Sequence, residues 1–147
     1  MKHLIIALAI IGMLLPIALA AVKADDITGI WFNDEKTSKI QIYRTTSGSY
    51  AGKIVWLKEP NDAKNQPRKD VENPDKKLQS RALMNLVILS GLEFNGKNQW
   101  KGGKIYDPKS GKTYSCKAEL DGANTLKLRG YIGVSLIGRT AAWVRTK

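Results

Sequence analysis

The alternation of side chains in residues 112–131 constrains this chain more than any other feature. Tyr114, Cys116, Ala118 and Leu120 fall on one face, with Ser115, Lys117 and Glu119 on the other. After a turn at Asp121-Gly122, Leu126, Leu128 and Gly130 alternate with Lys127, Arg129 and Tyr131. A period of two places successive side chains on opposite sides of a strand, so each segment buries one face and wets the other. A helix built on the same residues would have no continuous apolar stripe to bury.

The rest of the chain fits the same pattern. Strands are expected over 27–33, 39–45, 50–58, 86–94, 99–106, 112–120, 125–131 and 139–145, separated by Gly, Pro, Asn, Asp and Ser. The turn at Ser47-Gly48-Ser49 makes a hairpin of the second and third. Gly102 and Gly103 inside the fifth segment predict a bend or bulge, and 107–111 read as a plain turn. Residues 59–80 contain three prolines and a dense mixture of charges, so they read as a long surface connection of the kind that serves as a lid or binding loop. A short helix is expected over 78–85.

About eight antiparallel strands make an all-β fold in which curling the sheet on itself removes its exposed edges. A single eight-stranded barrel either fills its interior with side chains or holds one small ligand. The same spacing of strands also permits a β-sandwich.

The first 24 residues have a different character. Lys2 and His3 precede an apolar run to Val22 broken only by Gly12 and Pro16, and Val22-Lys23-Ala24 offers small residues where a signal peptidase reads them. The expectation is a signal peptide over 1–24 and one domain over 25–147, exported to the periplasm or secreted. An uncleaved membrane anchor is the alternative, since the run is nearly long enough to cross a bilayer. The remaining 123 of 147 residues suffice for one core without disulfides. None can form within the chain, because Cys116 is its one cysteine; it is expected to be buried and inert.

Histidine usage excludes several chemistries. The one histidine, His3, lies in the expected leader. Without it there is no imidazole for Ser-His-Asp or Cys-His catalysis, nor for the usual zinc, copper and non-haem iron sites. Asp62, Asp70, Glu72 and Asp75 lack calcium-loop spacing, and no glycine loop suits a phosphate. The expectation is a protein that is not an enzyme and carries no cofactor and no metal. Chemistry by Tyr, Lys or paired carboxylates is left unsupported.

Charge is unevenly placed. The formal net charge is +11. Residues 25–81 hold eleven basic and nine acidic side chains, whereas residues 97–147 hold eleven basic and three acidic. Such a field attracts anionic partners, although alternating charge on a solvated strand face also keeps a protein soluble.

Two ends of the chain then carry a resemblance. Gly29-Ile30-Trp31 resembles the Gly-x-Trp signature of lipocalins and other calycin barrels, and Arg145, after Trp143, resembles the arginine that packs across that tryptophan. Between them stand Arg81, Gly91-Leu92, Trp100-Lys101-Gly102-Gly103-Lys104-Ile105-Tyr106-Asp107-Pro108, Gly111-Lys112-Thr113-Tyr114, Leu126-Lys127-Leu128-Arg129-Gly130-Tyr131 and Gly138-Arg139-Thr140. Together these are similar to an exported bacterial family, domain of unknown function 2147, over essentially all of 25–147. The resemblance implies a lipocalin-like barrel closed by Trp31 and Arg145, and no assigned reaction. One departure is Asn85-Leu86, where related sequences often have a glycine.

A ligand pocket would be lined by apolar and aromatic groups with a few polar ones. Alternation offers Ile54 and Trp56 as one inward pair, because Lys53 faces the other way, and Tyr114 with Cys116 as a second. Tyr43, Trp100 and Tyr106 are candidates for rim or wall. Arg81, beside the apolar run, is a candidate for binding a carboxylate or phosphate head group. The bland alternative is that the aromatics fill the core and Arg81 is solvated. The leading functional expectation is an exported barrel that holds a small apolar or amphipathic molecule. A second is a basic surface module that docks on anionic envelope lipid or glycan. Nucleic acid is a poor third, since export removes the protein from most of it, and an enzyme without histidine chemistry is a further alternative.

Overall fold

A computed structural model of the chain describes residue 16, residues 20–134 and residues 136–147. The expected leader lies for the most part outside the described residues. Eight strands close into one antiparallel barrel in sequence order: β1 (Gly29–Phe32), β2 (Ser38–Arg44), β3 (Tyr50–Leu57), β4 (Val87–Phe94), β5 (Gln99–Asp107), β6 (Lys112–Asp121), β7 (Thr125–Tyr131) and β8 (Gly138–Arg145). Every strand pairs with its sequence neighbour, and β1 meets β8 through Trp31 opposite Arg145 and Phe32 opposite Val144. The barrel, not the sandwich, is the fold.

Alternation places the core as expected along β6 and β7. Cys116, Ala118, Leu120, Leu126 and Leu128 are buried, while the intervening Lys117, Glu119, Lys127 and Arg129 pair across the outer face. Burying a leucine or isoleucine fully contributes roughly 1.5–3 kcal/mol, so these few positions fix the register: a slip of one residue would put lysines inside. The register shift between Trp100 and Gly103 bears out the predicted bulge. Gly103 lies so close to Leu92 that a Cβ there would stand 2.6 Å from the Leu92 Cδ2.

One end of the barrel is packed shut. A short 3-10 helix, Ala24–Ile27, crosses it. Ile27, Trp31, Ile42, Tyr50, Leu92 and Trp100 are each buried to 1% exposure or less. Both indoles find acceptors on this cap: Trp31 Nε1 donates to the Ile27 carbonyl at 3.0 Å and Trp100 Nε1 to the Ala24 carbonyl at 3.1 Å. The Tyr50 hydroxyl donates to Asp25. The sequence pattern predicts one strand over 27–33; instead the chain turns at 24–27 because those carbonyls satisfy buried donors. Val22 and Ala24, inside the expected leader, pack against this core.

Arg145 closes the seam. Its guanidinium lies 4.1 Å from the Trp31 ring centroid and donates to the carbonyls of Thr28, Asp26 and Ala123. Gly29 is required beneath it. A Cβ there would meet the Arg145 Nη1 at 2.6 Å, and its φ of 132° suits glycine alone.

The connection from β3 to β4 crosses the opposite end as a strap. It is pinned by isolated bridges at Asn61–Pro67 and Lys69–Ala82 and holds a one-turn 3-10 helix at Lys76–Leu78. The helix expected over 78–85 does not form. The backbone there bonds across the strap instead: Arg81 O accepts from Asp70 N, Leu83 N donates to Arg68 O, and Asn85 N donates to Ile54 O. Asn85 takes a φ of 66°, a left-handed conformation that asparagine tolerates.

Candidate functional site: a half-filled barrel

Packing fills the lower half of the barrel and leaves the upper half hollow. The cavity measures about 1250 Å³ and opens at the strap end. Its walls come from inward positions on several strands, among them Ile40, Ile54, Ile105, Tyr114, Leu128 and Trp143, with Leu83 reaching in from the strap. Pockets that take drug-sized ligands measure roughly 300–1,000 Å³, so this cavity has room for such a molecule or a somewhat larger one.

The mouth is polar, and several of its charges are paired. Ion pairs tie its turns together: Lys109 to Glu35 at 2.5 Å, Arg139 to Asp34 at 3.1 Å and Arg68 to Glu59 at 3.2 Å. The hydrogen bond and charge of Lys109 hold the Glu35 carboxyl below the usual carboxylate range. Exposed pairs of this kind stabilise only weakly, because solvent and salt screen them. Lys58 and Lys69 stand on the same rim, exposed, and form no ion pair among the described residues.

The expected site residues are distributed as follows. Ile54 and Tyr114 line the cavity. The Tyr114 hydroxyl makes no hydrogen bond among the described residues, so it offers a polar handle within apolar walls. Tyr106 reaches the cavity at the mouth, and its hydroxyl donates to Asp70 at 2.5 Å. Trp100 is fully buried under the closed end and faces no cavity; it is part of the floor.

Trp56 and Tyr43 lie on the outside: the inward facing expected of Trp56 is corrected, and Tyr43 is not part of the cavity's rim or wall. Lys39 pairs with Trp56 and Ile40 with Ile54, so Val55 is an extra residue in β3 and the alternation reverses across it. Trp56 therefore joins Lys39 outside, edge-on to Phe32 at 5.9 Å. Tyr43 follows the inward Ile42 and so faces out, beneath the Lys53 ammonium at 5.8 Å.

Arg81 is outside the cavity, partly exposed and paired. It lines a shallow depression of about 320 Å³ on the outer wall and pairs with Asp70 at 2.8 Å. Asp70 is 0% exposed and also receives Asn73 Nδ2 at 2.9 Å. Burial pushes the Asp70 carboxyl up, but the hydrogen bonds from Tyr106, Asn73 and Arg81 and the Arg81 charge prevail and hold it below its ordinary value. Burial and the bond to Asp70 raise the Tyr106 phenol. The sequence gives no sign of this network, since Asp70 is one of several acids in a charged, proline-rich stretch.

Cys116 is fully buried, and desolvation pushes its thiol up to about 12. Among the described residues no group of three or more His, Cys, Asp or Glu side chains is placed to hold a metal ion. No helix among them is long and apolar enough to cross a membrane.

A family described as "uncharacterized protein conserved in bacteria", DUF2147, matches residues 29–145. The chain belongs to the DUF2147 family. That span runs from the glycine under the seam to the arginine across it, so the DUF2147 match and the barrel have the same limits. No curated protein matches the chain. Among solved structures, protein HP1028 from the human pathogen Helicobacter pylori, described as belonging to the lipocalin family, is similar at 26% identity. The two superpose with a TM-score of 0.72 over 82% of each chain. The DUF2147 barrel is thus lipocalin-like.

Proposed function

We propose that this protein is an exported carrier that holds one elongated, largely apolar molecule in the upper half of its barrel. The observation that carries this reading is the open cavity of about 1250 Å³, walled by aliphatic and aromatic side chains. A filled barrel of this size would be merely a scaffold. The likeness to a lipocalin-family protein fits small-molecule binding in general. The Tyr114 hydroxyl supplies one polar contact inside, and Lys58 and Lys69 stand where an anionic end of the molecule would emerge. Arg81 is not assigned that role, because Asp70 already neutralises it.

Binding is favoured over catalysis by where the buried carboxylate sits. Asp70 is tied by three side-chain donors outside the cavity rather than presented to it. Export rests on the apolar run and the small residues that end it.

Native mass spectrometry of freshly purified against delipidated protein tests the carrier reading. The expected result is a copurifying mass that delipidation removes and that a fatty-acid probe replaces. Leu128→Trp, which fills the cavity from β7, should abolish probe uptake while the protein stays folded. Probe uptake unchanged in Leu128→Trp would overturn the cavity as the site.

A further inference from the structure

The β7–β8 loop carries the most concentrated exposed apolar surface among the described residues. Ile132, Val134, Leu136 and Ile137 are 69, 59, 89 and 71% exposed, and residues 132–137 contain no charge. Solvent exposure of this much contiguous aliphatic surface marks an interaction site more often than not. Nor is the loop shapeless. Ile137 N donates to Val134 O, and Arg129 reaches up from β7 to bond the Leu136 carbonyl and the Thr140 hydroxyl. The aliphatic side chains are thereby held outward.

The wall below the loop is basic. Lys104 on β5 shares a cross-strand row with Ser115 and Tyr131, and Lys117 shares the next with Arg129 and Thr140. All three basic residues face outward, because their neighbours Ile105, Cys116 and Leu128 face the interior. An aliphatic tip above a cationic face matches a bilayer, where acyl chains lie beneath anionic head groups. It does not match nucleic acid, whose bases call for aromatic stacking partners. A second copy of the chain would bring an equally positive wall to the contact.

We infer that the β7–β8 loop docks the barrel, mouth first, on a bilayer containing anionic phospholipid: Val134 and Leu136 enter the interface while Lys104, Lys117 and Arg129 meet the head groups. Ile132 and Ile137 line the cavity mouth as well as the exposed tip, so docking brings the opening against the membrane. The inference stands whether or not the cavity carries a ligand.

Cosedimentation of the full chain with vesicles tests it. Phosphatidylcholine vesicles containing phosphatidylglycerol should bind it about tenfold or more better than phosphatidylcholine alone, and less so in high salt. Val134→Glu/Leu136→Glu, two positions outside the cavity, should lose about tenfold or more of that binding with no change in melting temperature. Lys104→Gln/Lys117→Gln should weaken it by about threefold to tenfold and flatten its salt dependence. Val144→Glu, an exposed aliphatic on β8 beside the seam and away from the mouth, should leave vesicle binding unchanged. The inference is overturned if the loop variant binds as wild type does. It is overturned equally if wild type ignores both vesicles and sediments as a dimer that the loop variant splits.

Discussion

The Tyr106 hydroxyl and the Asp70 carboxylate meet at 2.5 Å, joining the wall of the barrel to the strap across its mouth. Asn73 and Arg81 complete the junction from the strap itself. A buried carboxylate this well supplied with donors is stabilised in its charged form, and everything it holds depends on that charge.

The junction should therefore open in acid. The Asp70 carboxyl titrates below its ordinary 3.8 in the folded protein, so its contribution is full above that value and is lost as pH falls through the lower, folded one. Proteolysis within the strap should accelerate below about pH 4 before the barrel unfolds. In Asp70→Asn the strap should be cut readily at neutral pH, with no further acid step.

Removing the seam arginine should destabilise the whole barrel. Arg145→Ala loses the stacking on Trp31 and charged donors to three carbonyls, and should cost about 2–4 kcal/mol in urea unfolding. Arg145→Lys should recover less than half of that loss, because an ammonium cannot serve three carbonyls and cover the indole together.

Truncation at the N-terminus has a specific cost. A protein beginning at Asp25 lacks the Ala24 carbonyl that accepts from Trp100 Nε1. It should be less stable than one beginning at Ala21 by about 1–3 kcal/mol, the penalty for an unsatisfied buried donor. Urea denaturation of the two proteins checks this.

Trp56→Ala and Tyr43→Ala should leave affinity for a fatty-acid probe within about twofold, since both rings lie on the outer face. Leu128→Trp should abolish it. Fluorescence titration of the three variants separates wall from surface.

Native protein should resist alkylation at Cys116. With its thiol pushed up to about 12 and no exposure, iodoacetamide at pH 8 should label it only as fast as the barrel unfolds. Mass spectrometry in native buffer and in urea supplies the comparison.

Strand number and facing were legible in the sequence wherever one face is buried throughout, whereas strand spacing alone allowed a sandwich as well as a barrel. Leu126 and Leu128 against Lys127 and Arg129 leave a single arrangement that keeps charge in water. Legibility failed where local backbone chemistry overrules alternation. One extra residue at Val55 sends Trp56 outside, and nothing in Ile-Val-Trp-Leu announces it. It failed again over 78–85, where helical spacing was outweighed by strap hydrogen bonds that form only once residues 68–70 lie alongside. Asp70 could not be told from its acidic neighbours because its partner Tyr106 is 36 positions away.

Trp31 and Trp100 make the barrel a cup rather than a tube. Nothing can pass through it; whatever goes in leaves by the door it entered, and how long it stays is decided at the rim. Traffic control in such a vessel belongs to the strap and the turns around the opening, while the base has only to stay watertight.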